Sequence, residues 1–389
     1  MADKLKFAII GFGTQGSAYG RFIDEGMVPS IDLVAVCDID EERTKLAKEL
    51  YPQVETYSDY KELIDSGKVE AIVTTVPHYL HPEMAIYALS KGVHVLNEKP
   101  AGVYTKQVKE LNEYAEKADA TYAIMFNQRN NPLYQKIKAI VDSGDLGDLR
   151  RSNWIITTWW RPQAYYNQSD WRATWGGEGG GVLVNQAPHQ LDLIQWIAGV
   201  PESVYAMVQE GYQREIVVED QVHAMLRYAN GATGVFVTST NEIAGSDRLE
   251  LYFDKGKIVV DDSQKATVYR LKETEQEINK EFDAAKVKSM MAGEDVFGDL
   301  FEAVDTIEED NVWGAQHSGV MENFAQHILH GKDLIAPGAE GINGVRLANA
   351  IQMSGWTGEE VSIKNFDDEK FLGMLNEHIA KEGKFEQRQ

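Results

Sequence analysis

LKFAIIGFGTQGSAYG, residues 5–20, decides the fold. Its first half is an apolar run of strand length. Its second half spaces Gly11, Gly13 and Gly16 as G-x-G-x-x-G, and residues 14–26 have the composition of a helix. Each glycine has its own task in such a turn. Gly11 permits a tight exit from the strand, Gly13 lets backbone N–H groups approach a pyrophosphate, and Gly16 lets helix and strand pack closely. The helix N-terminus adds unpaired N–H groups and the positive end of the dipole, which suit an anion. Glycines are common, so the setting carries the weight: strand, turn, helix, then a second strand, IDLVAVCD, ending on Asp38. A carboxylate there accepts from the ribose hydroxyls of NAD and repels the extra phosphate of NADP. No arginine comes directly after it; Ile39 and Asp40 do. The reading is a cradle for NAD, ahead of NADP, formed by Gly11, Phe12, Gly13, Thr14, Gln15, Gly16 and Asp38.

Outward from this stretch, residues up to about 125 alternate strand and helix periods, with further strands in VEAIVTTV, VHVLNEK and TYAIMF. Strand alternating with helix implies right-handed crossovers and an α/β doubly wound parallel sheet of Rossmann type. After Asn127 the character changes. A helix through NPLYQKIKAIVDSG is followed by successive strands in SNWIITTWW, SVYAMVQEG, DQVHAMLRYA, ATGVFVTST, RLELYFDK and GKIVVDD. Strands in succession predict a C-terminal α+β domain with a large, mostly antiparallel open sheet. The expected division is residues 1–127 for the nucleotide and 128–389 for substrate and oligomer contacts. Residues 272–312 are acidic and read as helical, without a role.

At 389 residues the chain is long enough for two cores, and its net charge of −23 repels nucleic acid and anionic membranes. The single cysteine, Cys37, sits in an apolar run and permits no internal disulfide. The apolar stretch Phe7–Ile10 is too short for a signal peptide. No run reaches the ~20 apolar residues of a membrane span. These features predict a cytoplasmic protein.

Two further stretches carry chemistry. Residues 74–100 read TTVPHYLHPEMAIYALSKGVHVLNEKP, and 176–199 read GGEGGGVLVNQAPHQLDLIQWIAG. With GFGTQG, they resemble the Gfo/Idh/MocA oxidoreductases over nearly the whole chain. The resemblance implies an NAD(P)-binding Rossmann domain and a second domain whose open sheet supports oligomers, dimer or tetramer. It places the lysine of EKP, Lys99, beside substrate and nicotinamide. Thr75, Pro77 and His81 match a strand-end T-x-P-x-x-x-H, with His78 where asparagine is common. A later motif, G-G-G-x-x-x-D-x-x-x-H, is met by Gly179–Gly181 and His189, but Asn185 stands at its aspartate position.

Oxidising a secondary alcohol needs a hydride acceptor and a base for the hydroxyl proton. Lys99 ends a predicted parallel strand, where open sheets bind ligands, and Pro100 restricts its backbone. It can donate to the substrate oxygen; Glu98 balances its charge or reaches the nicotinamide ribose. His189 is the expected proton acceptor, since imidazole titrates nearest neutrality. A helix through this segment would put Asn185, His189 and Asp192 on one face, with Asp192 orienting His189 or simply packing. Asn185 can hold a hydroxyl but cannot take a proton. Six of the eight tryptophans lie between Trp154 and Trp196. There TTWWRPQAYYNQSDWRATW mixes aromatic faces with polar groups, including Trp160, Arg161, Tyr165, Tyr166 and Arg172. Such a surface suits a sugar or an oligomer interface. Arg172 can alternatively reach the pyrophosphate, and the stretch Asn127-Gln128-Arg129-Asn130 lines the cleft from the domain junction. The paired histidines 78/81 and 327/330 lack a third ligand, so no metal is expected. The leading expectation is an NAD-dependent dehydrogenase for a sugar, polyol (inositol-like) or glycoside. A glycoside hydrolase working by transient oxidation, and a non-catalytic sugar or NAD sensor, are the alternatives.

Overall fold

Apolar runs bounded by turn residues assemble into two sheets in the computed structural model, which describes residues 4–310, 312 and 314–389. The first sheet has six parallel strands. They are β1 (Leu5–Ile10), β2 (Ile31–Cys37), β3 (Glu55–Tyr57), β4 (Ala71–Thr74), β5 (His94–Asn97) and β6 (Tyr122–Ile124). Their spatial order is β3-β2-β1-β4-β5-β6. β4 and β6 are buried along their whole length, as strands covered on both faces must be. The crossovers carry α1 (Thr14–Asp24), α2 (Glu41–Leu50), α3 (Tyr60–Asp65), α4 (Leu80–Ser90) and α5 (Thr105–Ala115). Asp40 and Asp59 start α2 and α3 by accepting backbone N–H groups at 2.9 and 2.6 Å. The strand order reverses between β1 and β4, so the crevice beyond their C-terminal ends is the ligand-binding position of such a sheet.

α6 (Pro132–Asp142) follows, then β7 (Leu149–Ile156), α7 (Gln163–Tyr166) and α8 (Pro188–Ala198). β8 (Ser203–Glu210), β9 (Glu219–Arg227), β10 (Thr233–Ser239), β11 (Asp247–Phe253), β12 (Gly256–Asp261) and β13 (Lys265–Leu271) come next. α9 (Glu275–Glu281), α10 (Ala284–Met291) and β14 (Phe301–Glu308) precede α11 (Ala315–His330), α12 (Gly341–Thr357), β15 (Val361–Ser362) and α13 (Asp368–Glu382). The nine strands order as β14-β13-β12-β11-β7-β10-β9-β8-β15, and every pair is antiparallel except β7 with β10. Side chains alternate across it. Ala206, Val222, Ala224 and Phe236 are buried on one face, while Met207, Met225 and Ile155 are exposed on the other.

The acidic segment differs from expectation. Residues 275–281 and 284–291 are α-helical and 298–300 make a 3-10 turn, but residues 301–308 form a strand on β13, itself unread in the sequence. FEAVDTIE carries β-branched Val304, Thr306 and Ile307 among acids with no clean alternation, and its pairing with β13 is what makes it a strand. Asn311 of this segment lies outside the described residues.

α11 lies late in the chain yet packs on the first sheet. Val320, Met321, Phe324 and Ala325 join Phe7, Ile9 and Phe22 in one core. Glu322 accepts from the Ser30 N–H at 3.1 Å and its hydroxyl at 2.6 Å. Among the described residues, no helix is long and apolar enough to cross a membrane.

Candidate active site

The glycine turn after β1 is shaped for close approach. Gly11 has φ +91°, and a Cβ there would press on the Thr75 carbonyl. A Cβ on Gly16 would overlap the Gly11 carbonyl oxygen. Gly13 caps α1 without a side chain, leaving the helix N-terminus to an outside acceptor, and Gln15 Nε2 is buried without a partner. A cradle with no room for side chains, an uncapped helix and an orphaned donor fit a dinucleotide phosphate. Thr75 ties β4 to this turn: its hydroxyl donates to the Ile10 carbonyl at 3.1 Å and to that of Gly11. Phe12 contributes only backbone, since its ring packs edge-on against Tyr51; Thr14 is exposed and Pro77 half-buried. Asp38 is buried and accepts the Phe12 N–H at 2.6 Å and the Asp40 N–H at 2.9 Å. No arginine follows it directly, yet the first turn of α2 brings Arg43 within 3.4 Å of its carboxylate.

Lys99, just past the end of β5, points across the crevice. Its ammonium donates to the Asn185 carbonyl at 2.8 Å, in the loop that leads into α8. Burial lowers its pKa, while the charges of Glu98 and Glu178 resist that shift. Glu98 is buried and accepts from the Tyr19 hydroxyl and, at 2.9 Å, from the Lys99 N–H; burial raises its carboxyl pKa. His189 lies in the first turn of α8, and its Nδ1 is buried without a partner. Burial drives its pKa well below 6.5, and the charges of Lys99 and His317 push the same way, so the ring is neutral near pH 7. His317, on α11, is lowered to about 4 by burial and by Lys99. The side-chain amide of Asn127 lies 3.2 Å from its ring.

The third wall is the loop before α8. Arg172 donates to the Tyr165 hydroxyl at 2.7 Å, lies 4.6 Å from that ring's centroid, and stands 3.8 Å from Glu178. Glu178 is buried, accepts from the Ala173 N–H at 2.6 Å and from the Asn185 side-chain amide, and is raised by burial to about 7. His78 turns its Nδ1 to the Glu178 carbonyl at 3.0 Å.

Several sequence expectations are corrected. Asn185 is not on the helix face of His189. Proline has no N–H and enters a helix only in its first turn, so Pro188 starts α8 and Asn185 stays in the loop. Asp192 is spent on a buried, two-pronged pair with Arg129 at 2.6 and 2.8 Å, and neither orients His189 nor is open to substrate. Tyr166 is buried, with its hydroxyl on Thr240 at 3.0 Å. Trp160 lines a separate concavity with Tyr212, Arg214 and Ile243. Arg161 reaches the site only by lying against the Tyr165 ring, 5.1 Å from its centroid. Both ring nitrogens of His81 meet backbone carbonyls, of Pro100 and Val76, each at 2.8 Å, so it braces the β4–α4 turn against the lysine loop. Sequence reading missed Tyr19, Glu178 and His317, and it placed Arg129 at the cleft without foreseeing its pair with Asp192. Only Glu178 carried a signal, a lone charge inside a run of glycines. Among the described residues, no three His, Cys, Asp or Glu side chains gather as a metal group.

Residues 5–126 match an oxidoreductase family with an NAD-binding Rossmann fold, and residues 134–259 match the GFO/IDH/MocA C-terminal domain. Myo-inositol 2-dehydrogenase of Thermotoga maritima is 27% identical over 68% of this chain and 77% of its own. The oxidoreductase YrbE of Bacillus subtilis is 24% identical over 94% of this chain and 98% of its own. Among solved structures, a levoglucosan dehydrogenase in complex with NADH superposes with a TM-score of 0.78 at 19% identity, covering 93% of this chain and 99% of that one. The WlbA dehydrogenase of Bordetella pertussis, bound to NADH and UDP-GlcNAcA, gives 0.74 at 23% identity, covering 92% and 98%. At those identities the likeness is one of fold.

Proposed function

Because the chain belongs to the Gfo/Idh/MocA oxidoreductases, with the NAD-binding and the C-terminal domain both matched, we propose that it oxidises a secondary hydroxyl of a sugar, polyol or glycoside. When bound, NAD supplies the hydride acceptor. Gly11, Gly13, Gly16 and Asp38 hold its phosphates and ribose at the crevice, with Thr75 and Glu98 behind them. Lys99 donates a hydrogen bond to the substrate oxygen and stabilises the negative charge that grows there. The hydroxyl proton passes to an imidazole nitrogen of His189, which is neutral and therefore able to accept it. Tyr165, Arg172 and Asn185 offer an aromatic face and polar groups to a ring with several hydroxyls.

One observation carries this reading: the Lys99 ammonium from the first sheet lies 2.8 Å from the loop that delivers His189 from the second. The exposed face of the nine-stranded sheet, with Tyr205, Met207, Met225 and Ile155, supports a homo-oligomer through that surface. The test is a panel of polyols, free sugars and glycosides with NAD, followed by NADH absorbance. The wild type forms NADH stoichiometrically with at least one class. Lys99→Met and His189→Ala lose turnover and still bind NAD in equilibrium dialysis. Full turnover in either variant overturns its role, and aglycone release without net NADH overturns the dehydrogenase reading.

A further inference from the structure

Glu178 has no part in the proton transfer above, yet it is a buried carboxylate whose charge acts on Lys99 from outside the lysine's own strand end. It sits in the run Gly176–Gly181, 1% exposed by side chain. A bare glycine loop has no packing reason to bury a charge, and doing so is costly unless the charge has partners. Its partners here lead to one place. One oxygen accepts the side-chain amide of Asn185, and the backbone oxygen of that same Asn185 accepts the Lys99 ammonium at 2.8 Å. The other oxygen accepts the Ala173 N–H at 2.6 Å, which fixes the carboxylate from behind. Asn185 is thus held at both ends, by a carboxylate and by an ammonium. Being an amide, it can hold no charge of its own.

We propose that Glu178 is a positioning residue for Lys99: through Asn185 it aims the ammonium into the crevice, and its charge keeps that ammonium protonated. This deepens the reading above and rests on its premise that Lys99 faces the reacting oxygen. The groups around Lys99 favour such a device. His189 on α8, His317 on α11, and His78 and His81 in the β4–α4 turn are all driven toward neutrality, so they add no positive charge to oppose the lysine's. Arg172 opposes the ammonium, whereas Glu98 and Glu178 favour it. Glu98 is already committed to Tyr19 and to the Lys99 backbone N–H. Glu178 is therefore the carboxylate whose ionisation can change the lysine's charge from across the crevice.

The test is trace acylation of the full chain over a pH series, with the Lys99 peptide quantified by mass spectrometry. Neutral lysine reacts and ammonium does not. Wild-type Lys99 gives a curve with a second inflection near pH 7, where Glu178 ionises; a single inflection overturns the proposal without any variant. Glu178→Gln raises Lys99 reactivity about tenfold above that pH, the size expected from losing one facing carboxylate. The exchange variant Glu178→Gln/Asn185→Asp reverses the hydrogen bond and keeps one carboxylate, so it returns the curve to the wild type's. A Glu178→Gln curve that superposes on the wild type's, or an exchange variant that behaves like Glu178→Gln, overturns the proposal. Labelling needs no substrate. NADH formation with failed labelling sinks this inference alone, and successful labelling without NADH formation sinks only the dehydrogenase reading.

Discussion

Replacing Asp192 by asparagine tests whether that carboxylate is structural. Both Asp192 and Arg129 have side chains 3% exposed. Two parallel hydrogen bonds, 2.8 Å from Nε and 2.6 Å from Nη2, join the short turn after β6 to α8. Arg129 also lies 5.5 Å from the centroid of the Trp196 ring. Its remaining acid, Glu340, is 43% exposed and screened by water. Removing one member of a buried pair leaves the other charge without compensation, at about 3–5 kcal/mol. Asp192→Asn keeps the shape and one acceptor, and Glu340 keeps part of the charge balance. The expected loss is therefore at the lower end, about 3 kcal/mol. Urea unfolding followed by tryptophan fluorescence reads it as a lowered midpoint, and NAD affinity of the folded variant stays at the wild-type value. The double change Arg129→Met/Asp192→Leu removes both charges and recovers most of the loss. A shift below about 1 kcal/mol, in the range of an exposed pair, would refute this account. So would unchanged stability with a large rise in substrate KM, which would return Asp192 to the binding surface.

Other expectations follow from the cofactor cradle and from one buried acid. Asp38→Ala removes the proposed ribose acceptor beside Arg43, so kcat/KM is expected to fall with NAD and rise with NADP; an unchanged ratio would remove Asp38 from cofactor choice. Gly16→Ala forces a Cβ into the Gly11 carbonyl and costs about 1–3 kcal/mol of overpacking, read as a lowered midpoint together with weakened NAD binding. Glu219 lies beneath the glycine loop, accepting the Gly181 and Leu183 N–H groups at 2.8 and 3.2 Å, and burial raises it to about 8. Its folded pKa exceeds the unfolded value, so its contribution to stability is complete below about pH 4.5 and is lost as pH rises toward 8. Glu219→Gln flattens the stability curve across that window, measured as midpoints between pH 5 and pH 9; an unaltered slope would mean that Glu219 titrates normally.

The parallel half was legible because its strands are buried on both faces and announce themselves as continuous apolar runs, with Gly11 and Asp38 at fixed distances along the chain. The place of Lys99 just past β5 was legible for the same reason, since a strand end is a local fact. What escaped depends on partners remote in sequence. Asp192 stands three residues after His189, and that spacing suggested a dyad; its actual partner, Arg129, lies 63 positions earlier. His317 meets Asn127 across 190 residues, which no local pattern records. β14 was taken for a helix because acids dominate it, and its identity comes from pairing with β13 rather than from its own propensity.

The return of α11 to the first sheet bears on how such a protein can be recombined. A fragment ending near residue 127 would leave Phe7, Ile9 and Phe22 without the cover of Val320, Met321 and Phe324, and would leave the nucleotide crevice without His317. Transplanting the nucleotide half onto a foreign partner therefore requires a splice at two distant points, since the piece that completes it is encoded almost two hundred residues downstream.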